Sequence, residues 1–365
     1  MPEKEGIEKL IRPDLVSFGG YSARKAPETF EGKVEVPVES IIKLDANENL
    51  YGCSPDVGRA LAAYTEFNIY PDDRQTVLRK LLEGYTGADA ECIVAGSGSN
   101  TLIDLVLRLF LAPGDEVINC VPTFGIYRFS TDLCGGRLVE VPRDNDFAVD
   151  VTAVKKAVTS RTKMIFLTNP NNPTGTLTPE RDIIEILDTG VPVMIDEAYY
   201  EFSRQTSIPL LARYGNLMIL RTFSKLGLAG LRLGLLAGDR RWLNEFNKVR
   251  LPYNINSLTQ ASARFVLQQD EFLQQQTANI VHERGRLADA LKSLAGLHVW
   301  PSNANFILFR TGRQDAGDIF EGLKRAGILI KKLDGSHPLL RNCLRVTVGL
   351  PEENDAFLKA LASLL

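Results

Sequence analysis

The sequence predicts an α/β protein: a mostly parallel sheet flanked by helices, joined to a smaller α+β unit. Two observations carry this expectation. Between Cys92 and Lys225, short apolar runs alternate with stretches whose apolar residues recur at helical spacing, as in βα units with parallel strands. Beyond about residue 255 this gives way to a long amphipathic stretch, then to a shorter strand, helix, strand, strand, helix pattern.

Residues 1–45 begin with a short helical pattern and pass through the polar run GGYSARKAPETFEGKVEVP, which has little core of its own and reads as an arm packing on the small domain. Residues 46–270 form the large domain and 271–365 the small C-terminal one. IIKLDANENLYGCSP enters the large domain as a strand or turn, and a helix through VLRKLLEGYTG stops at its glycine. CIVAG, GSGSN and TLIDLVLRLF follow as strand, turn and helix, a unit whose free backbone N–H groups can hold an anion. DEVINCVP, RLVEVP, KMIFLTNP, VPVMID and LMIL are further strands, with helices through KKAV and RDIIEIL. ASARFVLQQDEFLQQQTANIVHERGRLADALKSL is expected as one connecting helix. HVWPSNANFILFR, DIFEGLKRAGILIKKL and CLRVTVGLPEENDAFLKALASLL then make the small domain.

A chain of 365 residues with 44% hydrophobic residues has ample core, and a net charge of −3 gives no electrostatic footprint for nucleic acid or a membrane surface. No apolar run reaches membrane-spanning length. The five cysteines lack CxxC spacing, so reduced thiols in a cytoplasmic protein are expected. MPEKEGIEKLIRP has neither the apolar core of a signal peptide nor the bias of a transit peptide. His282, His298 and His337 are far apart, which argues against a histidine-built metal site.

Four pieces fall at predicted strand ends: Gly96 to Asn100, Asn169 to Gly175, Asp196 to Tyr199, and Lys225 within RTFSKLGLAGLRLG. Strand ends are where open α/β sheets gather a site. Lys225 lies between small hydroxyl residues and a glycine-rich turn, with Arg232 seven positions on. Together with the carboxylate closing VPVMID, these suit a phosphorylated pyridine cofactor, which needs an amine for a Schiff base, an acid for its ring nitrogen and donors for its phosphate. A dinucleotide loop is disfavoured, because Thr101 stands where the third glycine of GxGxxG belongs. No GK[ST] phosphate loop occurs either.

LDANEN at 44–49, YPD at 70–72, PNNPTG at 170–175, DEAYYEF at 196–202, RTFSK with GLAGLRLG, and LRVTVG at 344–349 together resemble the histidinol-phosphate aminotransferases, fold type I enzymes dependent on pyridoxal phosphate. The resemblance runs from about residue 20 to the C-terminus. It implies Lys225 as the Schiff-base lysine and proton carrier, Asp196 as partner of the ring nitrogen, and Asn172 and Tyr199 as partners of the cofactor's phenolate oxygen. It implies Phe124 stacked on the ring, with Ser99, Asn100, Thr222, Ser224 and Arg232 holding the phosphate. Tyr70 would reach that phosphate from a second copy, making a homodimer with shared sites. Arg345, Lys331, Asn172 and Tyr21 would face the substrate, with Arg24 and Asn305 nearby.

The resemblance implies amino transfer between L-histidinol phosphate and 2-oxoglutarate. An aromatic amino acid aminotransferase is the alternative within the same chemistry, and a decarboxylase of a phosphorylated amino acid a more distant one. A non-enzymatic binding protein would have the pocket without the transfer. Three positions depart from the family pattern: Leu50 replaces a proline, Phe124 a tyrosine, and Lys331 an arginine on the substrate's phosphate. A lysine carries the charge but lacks the planar fork that binds phosphate bidentately.

Overall fold

A computed structural model describes residues 6, 9–16, 18–21, 29, 34–268 and 270–365. Arg24 lies outside the described residues. Strand β1 (Ile42–Lys43) leads into the main sheet of β2 (Ile93–Gly96), β3 (Glu116–Val121), β4 (Arg137–Pro142), β5 (Thr162–Thr168), β6 (Val193–Asp196), β7 (Leu217–Thr222) and β8 (Gly234–Gly238). Their order is β2-β8-β7-β6-β5-β3-β4. β8 runs antiparallel to both neighbours, and every other adjacent pair is parallel.

The central strands are buried along their whole length, so both faces must be apolar. Alternation at period two supplies two cores. Met164, Phe166, Met194, Met218 and Leu220 join the cluster under helix α1 (Ser99–Phe110), while Ile165, Leu167, Ile195 and Ile219 join the cluster on the opposite face. Strand β4, at the edge, is exposed at half of its residues, and only Val141 is buried.

A second sheet contains β9 (Leu297–Val299), β10 (Phe306–Thr311), β12 (Lys331–Lys332) and β13 (Cys343–Thr347) in the antiparallel order β12-β13-β10-β9. Its core joins Phe306, Phe309, Leu323, Val346 and Phe357 to Tyr199 and Phe202 from the segment after β6. β1 pairs in parallel with β11 (Ile328–Leu329) and with no strand of the main sheet. Glu35 N–H also donates to the Arg325 carbonyl at 2.8 Å, whereas the ring of Phe18 lies 5.3 Å from Phe129. The arm therefore touches both units.

One local expectation is corrected, and one strand is new. The connecting stretch divides into helices Ser257–Val266 and Asp270–Ser293, the first closed by Leu267. GLLAG, after the glycine-rich turn, forms the buried strand β8. Glycine suits this strand because a Cβ on Gly234 would stand 2.8 Å from Ser99 N. Among the described residues, no helix is long and apolar enough to cross a membrane.

Candidate active site

A cavity of about 720 Å³ opens at the C-terminal ends of β3, β5, β6 and β7, beneath the small sheet. Of the residues singled out from the sequence, it is lined by Lys225, Asp196, Tyr199, Ser99, Asn100, Phe124, Asn172, Thr222, Ser224, Arg232, Arg345, Lys331 and Tyr21. Tyr70 is not among the lining residues. It is 77% exposed and stacks on Tyr253, with ring centroids 4.5 Å apart.

β7 ends at Thr222, and a tight turn carries Lys225 out of the sheet. Gly227 makes that turn possible, with φ +80°, and any Cβ there would overlap the Gly52 carbonyl. Lys225 Nζ donates to the Ala46 carbonyl at 3.4 Å. Burial, with Arg345 and Arg232 adding positive potential, lowers its pKa to about 8. An amine so placed is partly neutral near physiological pH.

Asp196 closes β6 and is 3% exposed. Burial pushes its carboxyl up to about 6, although it accepts from the Tyr127 hydroxyl at 2.7 Å and from Ala198 N–H at 3.0 Å. Tyr127 was not singled out from the sequence. It lies in the first turn of the helix Ile126–Leu133, three positions after Phe124, with the two rings edge to face at 5.9 Å.

The anion cradle is assembled from three segments. α1 begins after Gly98, which has φ +83°, and the Ser99 and Asn100 N–H groups, standing in its first turn, have no intrahelical acceptor. A Cβ on Gly98 would stand 2.5 Å from Arg232 Nη2, which places that guanidinium against the helix start. Arg232 Nη1 also donates to Ser224 Oγ at 3.4 Å, and Thr222 Oγ1 lies 3.0 Å from Ser224 Oγ. Helix N–H groups, two hydroxyls and a guanidinium are a donor set for a phosphate.

On the other side, Arg345 is buried on β13. Its Nη1 donates to Asn172 Oδ1 at 2.6 Å and its Nη2 to the Asp45 carbonyl at 2.8 Å, while Nε has no partner among the described residues. Burial lowers its pKa. Lys331 lies opposite Arg345 in register across β12 and β13, and is exposed. Phe124 meets Tyr21 edge to face at 6.5 Å. Asn305 does not line the cavity. Its Nδ2 donates to the Asn47 carbonyl at 3.0 Å, so it acts behind the wall.

An amine of lowered pKa, a buried acid and a phosphate cradle around one cavity suit chemistry between amines and carbonyls, on the frame of an α/β transferase. The chain belongs to the aminotransferase class I and II family, whose model matches residues 39–361. It is a transaminase, and this family implies pyridoxal phosphate as cofactor. A histidinol-phosphate aminotransferase of Dehalococcoides mccartyi is 48% identical, with 98% of each chain covered. One from Roseiflexus castenholzii is 43% identical, covering 97% of this chain and 98% of its own. Among solved structures, histidinol-phosphate aminotransferase from Sinorhizobium meliloti in complex with pyridoxal-5'-phosphate superposes with a TM-score of 0.86, at 26% identity and 97% coverage of both chains.

Proposed function

We propose that this transaminase interconverts L-histidinol phosphate and 2-oxoglutarate with imidazole-acetol phosphate and L-glutamate, using pyridoxal phosphate. The observation that carries the reading is the single cavity in which Lys225, Asp196 and the Ser99–Arg232 cradle meet Arg345 and Asn172. The name shared by relatives 46–48% identical over 98% of the chain supports the substrate.

The residues fit the cofactor. The cradle of Ser99, Asn100, Thr222, Ser224 and Arg232 would hold its phosphate, Phe124 would pack against its ring, and Asp196 would pair with its ring nitrogen. When bound, pyridoxal phosphate supplies the carbonyl carbon that takes up the amino group and a ring that accepts the electron pair left on deprotonation. A cation against Asp196 favours the carboxylate, offsetting the burial that otherwise raises its pKa. Asn172 and Tyr199 orient the cofactor's oxygen, and Lys225 Nζ removes and returns the proton at the substrate Cα. Arg345, with Lys331 and Tyr21 beside it, holds the anionic end of the substrate.

The division into arm, large domain and small domain at about 45 and 270 belongs to the same proposal, supported by the separate cores of the two sheets. So does a homodimer in which Tyr70 of a second copy reaches the cradle. Its outward position on this chain supports that arrangement. Five free thiols support a cytoplasmic location.

The test is kcat/KM for L-histidinol phosphate against L-phenylalanine with 2-oxoglutarate as acceptor. A preference for L-histidinol phosphate of tenfold or more is expected, on the order of one added charge-assisted contact. A preference for L-phenylalanine would make the enzyme an aromatic aminotransferase.

A further inference from the structure

Asn47 is buried at 2% exposure and holds a left-handed backbone, φ +54°. Its backbone N–H donates to Thr347 Oγ1 at 2.9 Å, and its carbonyl accepts from Asn305 Nδ2 at 3.0 Å. Thr347 Oγ1 in turn lies 3.4 Å from Asn47 Oδ1. Having accepted the N–H, that hydroxyl gives its own proton to Oδ1. This fixes the side-chain amide with nitrogen toward Tyr199, and Asn47 Nδ2 donates to the Tyr199 hydroxyl at 2.8 Å.

An amide N–H can only donate, so the Tyr199 oxygen is the acceptor in this bond. Among the described residues the tyrosine's own proton donates to no other group, and Tyr199 lines the cavity beside Lys225, whose Nζ lies 5.9 Å from its ring centroid. Burial keeps the phenol protonated, its pKa raised to about 12.

We propose that Asn47 is a positioning residue that makes Tyr199 a proton donor into the cavity, aimed at the oxyanion of the bound cofactor. The inference rests on the pyridoxal phosphate reading above. A donor on that oxyanion stabilises it in the basic form of the Schiff base and so lowers the pH at which the visible band changes; losing the donor raises that pH.

The experiment titrates the visible absorbance of the holoenzyme against pH in five proteins: wild type, Asn47→Gly, Asn47→Asp, Tyr199→Phe and the double variant of Asn47→Gly with Tyr199→Phe. Glycine suits the positive φ and removes the amide, so the fold is retained. Asn47→Asp is the second variant: its carboxylate accepts where the amide donated and turns the phenol proton away from the cavity. The midpoint is expected to rise by about one pH unit in Asn47→Gly and in Asn47→Asp, the scale of one lost hydrogen bond. In the Tyr199→Phe background Asn47→Gly should add no further shift. An unchanged midpoint, or an equal shift with and without the tyrosine hydroxyl, overturns the proposal. A wild-type protein that gains no visible band with pyridoxal phosphate overturns the cofactor reading itself, and this proposal with it.

Discussion

The Tyr127 hydroxyl donates to Asp196 Oδ2 across 2.7 Å, joining a helix to a strand end 69 residues further along the chain. The same hydroxyl lies 2.8 Å from Thr168 Oγ1, so the acid is held in a buried network of three side chains. Because unpaired buried acceptors cost more than paired ones return, Tyr127→Phe should destabilise the cofactor-free protein by about 1–3 kcal/mol. Urea denaturation checks this. The same change should push Asp196 still further above its ordinary range.

Asp196 also predicts a pH dependence. Its folded pKa of about 6 lies above the ordinary 3.8, so its contribution to stability is complete below about pH 4 and lost as pH rises through about 6. Relative to Asp196→Asn, the cofactor-free wild type should lose about 3 kcal/mol across that window and little above it. Denaturation curves for both proteins at pH 4, 5, 6 and 7 read the difference, and parallel profiles would remove the buried-acid account. The holoenzyme should show a smaller loss.

The Lys225 amine should be reactive at unusually low pH. Its pKa of about 8 predicts that arylation of the cofactor-free protein at this residue, followed by peptide mapping, rises with a midpoint near pH 8. Surface lysines should respond about two units higher. A midpoint near theirs would mean that burial does not depress this amine.

Arg345 makes two directed bonds from one guanidinium, to Asn172 and to the Asp45 carbonyl. Arg345→Lys keeps the charge but cannot reproduce both. KM for L-histidinol phosphate should rise roughly 10- to 100-fold, the equivalent of about 1.4–2.7 kcal/mol. Lys331→Ala, on an exposed position, should raise it by less than tenfold. Equal effects of the two changes would assign the anionic end of the substrate to both residues alike.

The site's strand-end residues were legible because their signals are local. Asp196 closes an apolar run, Lys225 follows another, and Ser99 and Asn100 start an apolar helix, each within a few positions of the pattern that marks it. Pairings over long separations left no such mark. Asn47 and Tyr199 meet across 152 positions, and nothing around either residue encodes the other. β8 escaped for a different reason: five residues bounded by glycines look like the continuation of a turn, and only its place between β2 and β7 makes them a strand. The break after Val266 interrupts a stretch whose amphipathic spacing hardly changes, so periodicity alone joined the two helices.

The most direct test of the central claim is the visible spectrum of the protein loaded with pyridoxal phosphate, recorded as L-histidinol phosphate, L-phenylalanine or L-glutamate is added. L-Histidinol phosphate and L-glutamate should each discharge the band, 2-oxoglutarate should restore it, and Lys225→Ala should show no such cycle. A band discharged by L-phenylalanine and L-glutamate but untouched by L-histidinol phosphate would contradict the proposed substrate. A full cycle in Lys225→Ala would contradict the site.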